Sequence, residues 1–311
     1  MLRFIIRRVL QMIPTILAVS LIIFVIFSVI PGSFTSSQIA DGKGRNDPKV
    51  VEQMNKEFGL DRPVYERFGS YIVNLVQFDL GKSFRTRQPV TQVLMERMWP
   101  TMKLAIAAMT LAVLIGVPLG FIAALRPGSI LDTITMIGAV SGLSLPQFWL
   151  GLLLMYFFAL TLGWLPSFGY GDGGIRNLIL PAVTLSVAPL ALLARTTRAA
   201  VLEVMGADFI RTARSKGMNA YRLVTWHLVR NALVLIITTV GLQFGSLMGA
   251  AVVIEKLFSW PGLGSLLVDS VSMRDIPVVQ GAILMIVLWF LIINTIVDIL
   301  YAVIDPRISH E

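Results

Sequence analysis

Six long apolar blocks, at 9–30, 104–125, 133–162, 178–194, 232–254 and 281–304, set the terms on which this chain can fold. Each reaches, or nearly reaches, the roughly 20 residues needed to cross the hydrocarbon of a bilayer. Only 14% of the 311 residues are charged. Soluble domains carry about 25%, so a water-facing surface of this size could not be covered. An all-α integral membrane protein of about six spans follows, because helices satisfy their own backbone hydrogen bonds in lipid. The first block runs 22 residues behind Arg3, Arg7 and Arg8. A signal peptide's apolar core is roughly 7–15 residues, and no small-x-small site follows, so this block reads as a retained helix. The block at 133–162 contains Pro146, where a kink is expected.

The net charge of +8 is distributed by topology. With the N-terminus inside, twelve basic residues fall in inner segments: Arg3, Arg7, Arg8, Arg126, Arg195, Arg198, Arg211, Arg214, Lys216, Arg222, Arg230 and Arg307. The short outer loops hold three, Arg176, Lys256 and Arg274. This asymmetry places both termini in the cytoplasm. No basic patch interleaved with aromatics is present, so nucleic acid is not an expected partner; the lipid bilayer is. The chain has no cysteine, which excludes disulfides, thiolate catalysis and thiolate metal sites. Single introduced cysteines, such as Ser83→Cys outside and Ser215→Cys inside, would therefore report sidedness.

The long outer segment, 31–103, carries its own helix signals. Asp47-Pro48 reads as a helix start and Gly59 as its stop. A second helix starts near Pro63, with Tyr65, Phe68, Ile72 and Leu75 on one face. A third begins at Pro89 and carries Val90, Val93 and Leu94. Gly81-Lys82-Ser83 is not a phosphate-binding loop, because Val76 stands where that motif needs its first glycine.

The inner segment 195–230 holds seven basic residues against Glu203 and Asp208. Its centre predicts a short helix opening at Asp208 and ending in Arg211, Arg214 and Lys216, which suits the helix dipole, with Gly217 as its left-handed stop. A positive-inside anchor would explain the charges. The capped helix goes further and suggests a docking element for a cytoplasmic partner.

The run Asp208–Gly217 with Thr212 and Ala213 at its centre, followed by His227-Leu228-Val229-Arg230-Asn231-Ala232, resembles the cytoplasmic loop of binding-protein-dependent ABC importer permeases. The similarity is greatest to the dipeptide, oligopeptide, glutathione and nickel branch. Further matching runs are Phe58-Gly59-Leu60-Asp61-Arg62-Pro63, Asp79-Leu80-Gly81-Lys82-Ser83-Phe84, Phe258-Ser259-Trp260-Pro261-Gly262-Leu263-Gly264, Arg274-Asp275-Ile276-Pro277-Val278 and Asp305-Pro306-Arg307. The resemblance covers nearly the whole chain. It implies a type I importer permease fold in a bacterial cytoplasmic membrane, moving dipeptides or short oligopeptides, with glutathione or chelated nickel as the alternative cargo of the same machine. A sibling permease, two cytoplasmic ATPase subunits and an outer solute-binding protein would complete the machine. ATP and magnesium would bind those ATPases, so this chain is expected to hold no cofactor, no metal and no catalytic residue. Two departures stand out. Arg211-Thr212-Ala213 replaces the family's loop glutamate, and Pro31-Gly32-Ser33-Phe34 replaces its usual Pro-Gly-Asp-Pro.

Three further features bear on packing and transport. Gly241, Gly245 and Gly249, with Gln243 and Ser246 nearby, form a small-residue face suited to close helix packing or to pore lining. Gly116 and Gly120 repeat the pattern more weakly. Asn294 and Asp298 lie in the last span, where a carboxylate must face protein or water; Arg195 or Arg198 is the expected partner of Asp298. The segment 259–271 is expected to form a short outer helix after its Pro-Gly-x-Gly turn. An ion-driven transporter would show inverted repeats and ionisable groups at mid-membrane, and the sequence shows neither. An intramembrane hydrolase would need a histidine within a span, and His227 and His310 lie outside them.

Overall fold

The computed structural model describes residues 2–29, 63–219 and 228–304. The helix expected over 47–59 and the terminal run 305–307 lie outside the described residues. Ten α-helices follow one another among the described residues: α1 Leu2–Val29, α2 Val64–Val76, α3 Val90–Leu125, α4 Ile130–Ser144, α5 Gln147–Leu154, α6 Ile175–Gly206, α7 Asp208–Ser215, α8 Arg230–Leu257, α9 Leu263–Ser272 and α10 Ile276–Ile304. The described residues form no β-strand beyond an isolated bridge between Lys82 and Pro89.

Five helices are long and apolar enough to cross a membrane on their own. The sixth crossing is broken. Helix α4 and helix α5, the latter continued by π-helical turns at Met155–Thr161, meet at 105°. Pro146 sits at that break and caps α5, as its missing N–H and fixed φ allow. The two halves still make one crossing. Asp132 at the start of α4 pairs with Arg198 near the end of α6. A Cβ at Gly142 would lie 3.1 Å from Val187, and one at Gly151 would lie 3.1 Å from Thr184, each further back along α6. The sequence placed a kink at Pro146; the structure makes it a true break.

Two spans outrun their apolar blocks. The helix expected from Pro89 does not stop before the membrane, and α3 runs unbroken for 36 residues through Pro100 and Pro118. Helix α6 likewise continues past 194 to Gly206, so Arg195 and Arg198 lie on a helix rather than in a loop. Helix-forming residues continue beyond the hydrocarbon limit at both places, and hydropathy alone registers only the lipid-facing part.

Helices α3, α6 and α8 form the centre. Leu104, Ala108, Ala112, Leu185, Leu193, Leu247 and Ile254 are buried together there. Small residues let α3 and α6 approach closely. A Cβ at Gly116 would lie 2.6 Å from the Leu190 carbonyl oxygen, and one at Gly120 would fall on that of Ala194. The starts of α1 and α8 and the ends of α3, α6 and α10 mark one end of the bundle, here termed the basic end. Helix α2 lies along α1, where Phe24 packs on Phe68 at 5.1 Å and on Tyr71 at 5.9 Å. Ile72 and Leu75 are half-buried on this face, whereas Tyr65, assigned to the same face by periodicity, is 74% exposed.

Candidate functional site: the coupling helix and two buried polar knots

At the basic end, α7 forms over the residues that the charge pattern marked. Its apolar residues Ile210 and Ala213 are buried and pack with Val204 of α6. Arg211, Thr212, Ser215 and Lys216 face outward. Asp208 opens the helix, and Arg211 pairs with it at 3.6 Å, one turn later and fully at the surface. Arg214 lies within the same helix. Gly217 has φ +73°, and the Met218 N–H donates to the Ala213 carbonyl at 3.2 Å. This is the Schellman stop, in which a left-handed residue returns the chain onto the last turn. The result is a short amphipathic helix hung beneath α6, with its polar side turned outward.

The small-residue face of α8 divides in two. A Cβ at Gly241 would fall on Val297, and one at Gly245 would lie 2.7 Å from Phe290, so both glycines pack against α10. Gly249 meets nothing within 4 Å. It lies with Leu242, Ser246 and Val253 on the exposed side of α8, and Gln243 is half-buried between the two. Asn294 lies beside Gly245. Asp298 pairs with Arg8 of α1 at 3.2 Å, not with Arg195 or Arg198. Arg198 is instead held by Asp132. The first and last spans are thus clasped at the basic end, a pairing that sequence distance conceals.

At the opposite end lie two knots that sequence patterning did not reveal. Glu255, in the last turn of α8, is fully buried. Its carboxyl accepts from the Thr101 hydroxyl of α3 at 2.6 Å and from the Ser265 N–H in the first turn of α9 at 3.0 Å. Thr101 in turn accepts from the Leu263 N–H at 2.8 Å. The free N–H groups that open α9 are therefore capped from two other helices. Trp260, also fully buried, donates from its indole to the Pro100 carbonyl at 2.9 Å. Gly262 and Gly264 make room, since a Cβ at Gly262 would fall on the Glu255 carboxyl. The expected short helix over 259–271 is thus α9, Leu263–Ser272. Lys256 and Asp269 join α8 to it again at 2.5 Å.

The second knot fastens the loop before α3 to the start of α10. The Asp275 carboxyl accepts from the Ser83 hydroxyl at 2.5 Å and from the Phe84 N–H at 3.0 Å. Ser83 is fully buried, so a cysteine there is a poor labelling probe; its neighbour Lys82 is exposed. In the sequence, Ser83 and Asp275 fall within two of the runs that carry the family resemblance, and the glycines flanking Leu263 mark the first knot, but no local pattern pairs them. Among the described residues no cluster of three or more histidine, aspartate or glutamate side chains could hold a metal ion.

The described residues thus form a helical bundle of up to six crossings with an amphipathic helix at one end. Residues 116–310 match the model of the binding-protein-dependent transport system inner membrane component, and residues 1–105 match its N-terminal companion. The chain belongs to this family. It is a permease subunit of an ABC importer in the dipeptide, glutathione and nickel branch, a multi-pass inner-membrane protein and not itself the catalytic subunit. Its relatives include the glutathione transport system permease protein GsiC of Escherichia coli strain K12, 44% identical over the full length of both chains. The protein of that name from Pectobacterium atrosepticum is 43% identical over the same extent. Among solved structures, the inward-facing MetNI methionine ABC transporter matches with TM-score 0.57 at 20% identity, covering 69% of this chain and 97% of that one. An amino acid ABC transporter matches with TM-score 0.53 at 17% identity, covering 70% and 94%. Both show the fold.

Proposed function

We propose that this permease pairs with a sibling permease and moves short peptides inward, powered by two cytoplasmic ABC ATPase subunits that bind ATP and magnesium. An outer solute-binding protein delivers the substrate. The basic end is the cytoplasmic end, so both termini are inside. The observation that carries this reading is α7: a capped helix with a polar outer side, at the end richest in arginine and lysine. There the ATPases would push through Asp208, Arg211, Thr212, Ala213, Arg214, Lys216 and Gly217, with α6 as the lever. The open strip of α8 around Ser246 and Gly249 would face the sibling subunit near the translocation path.

Full-length relatives named for glutathione transport, together with the branch resemblance, support a substrate of dipeptide to tripeptide size. Glutathione is itself a tripeptide and belongs within that class. Competition in cells carrying the complete transporter tests this. Uptake of a labelled dipeptide should be displaced by unlabelled dipeptides, tripeptides and glutathione, and not by free amino acids. Uptake confined to a nickel chelate, or displaced only by free amino acids, would contradict it.

A further inference from the structure

We propose that the Asp132–Arg198 ion pair is the strut through which α6 drives the broken span, which makes both of them positioning residues for transport. This rests on the reading of α7 as the element that partner ATPases push. Arg198 lies on α6 about two helical turns before that helix ends at Gly206. Its guanidinium donates through Nε to one Asp132 oxygen at 2.5 Å and through Nη2 to the other at 2.8 Å. A two-pronged planar contact fixes orientation as well as distance. The acceptor is equally well fixed. Asp132 is 4% exposed in the first turn of α4, where its own N–H donates to the Ser129 hydroxyl at 3.2 Å. The Gly128 N–H adds a bond to its carboxylate at 2.9 Å, and Gly128 reaches that position with φ +76°.

Helix α4 otherwise meets α6 through small apolar contacts such as Gly142 on Val187, surfaces that can slide past one another. The ion pair resists sliding, because any shift along α6 would break a two-pronged contact whose acceptor residue is itself tied to Gly128 and Ser129. A tilt of α6 therefore carries the start of α4 with it. Beyond the break at Pro146, Gly151 of α5 packs on Leu257 and Phe258, next to the Glu255 knot at the opposite end. The π-helical turns at Met155–Thr161 continue this half-span with a rarer hydrogen-bond pattern, one found frequently at functional sites. One stroke at the cytoplasmic end thus reaches the outer end through the broken span.

The test uses the assembled importer, both permeases with ATPases and binding protein, in proteoliposomes, and reads substrate taken up per ATP hydrolysed. Asp132→Asn and Arg198→Gln should each lower that ratio about tenfold while ATP hydrolysis continues, and the double variant should be no worse than either single. A purely structural staple would lower thermal stability and leave the ratio unchanged. A ratio within about twofold of wild type in assembled complexes, or single losses that multiply in the double, would overturn the strut. If the neutral variants do not assemble, Arg198→Lys keeps the charge and loses the fork. It should give an intermediate ratio, and an unchanged one would overturn the proposal. Wild-type complexes without ATP-dependent uptake would instead remove the ATPase reading on which the strut depends.

Discussion

Replacing Gly262 with alanine adds one methyl group at the most crowded point of the Glu255 knot. The backbone there, φ −100° and ψ −177°, is open to any residue, so alanine brings no dihedral strain. Its Cβ would instead fall on the Glu255 carboxyl, which must move. That group is the far end of a flexible side chain, yet it is buried and held by Thr101 at 2.6 Å and Ser265 at 3.0 Å. Moving it gives up both bonds and strands a buried acid. Two such losses at about 1–3 kcal/mol each put the destabilisation at about 2–6 kcal/mol. For a protein of this size that is an apparent melting temperature lower by on the order of 10 °C. The assay is the fraction of detergent-purified protein that stays monodisperse after heating. Gly249→Ala is the control, because nothing lies within 4 Å of its added methyl, and it should melt with wild type. Equal melting of Gly262→Ala, Gly249→Ala and wild type would refute the view that Glu255 caps α9.

Gly217→Val forces a β-branched residue into φ +73°, at about 1–2 kcal/mol. It should leave membrane insertion intact and sharply reduce substrate-stimulated hydrolysis in the complex; normal uptake would remove the coupling role of α7. For topology, Lys82→Cys should react with an impermeant thiol reagent from outside, and Ser215→Cys only in opened membranes; reaction of both from one side would sink the six-span arrangement. The isolated chain should hydrolyse no ATP, and saturable hydrolysis by the purified subunit would overturn its assignment as a permease.

The spans, the kink site and the α7 boundaries were legible because each rests on local chemistry. Lipid demands apolar runs, Pro146 removes an N–H, and Gly217 alone among its neighbours adopts φ +73° without strain. What escaped was tertiary. The partner of Asp298 is Arg8 rather than Arg195 or Arg198, because α1 and α10 bring together residues almost 300 apart in sequence. Ser83 looked like an exposed loop residue because nothing local betrays its bond to Asp275. The two long helices, α3 and α6, were cut short because hydropathy reports only the segment that lipid surrounds. In sequence Glu255 is indistinguishable from an interfacial charge, being an acid at the end of a span. Only the fold places two glycines and a threonine around it.

The central claim, that this chain is the membrane path of a machine driven by ATP, is tested most directly by choosing the energy source. Proteoliposomes holding the permease pair and its ATPases, supplied with binding protein outside and a labelled dipeptide, can be given either ATP inside or a proton or sodium gradient. Uptake is expected with ATP and magnesium in the lumen, abolished by omitting this chain and indifferent to ionophores. Uptake driven by an ion gradient alone, with no nucleotide present, would contradict it.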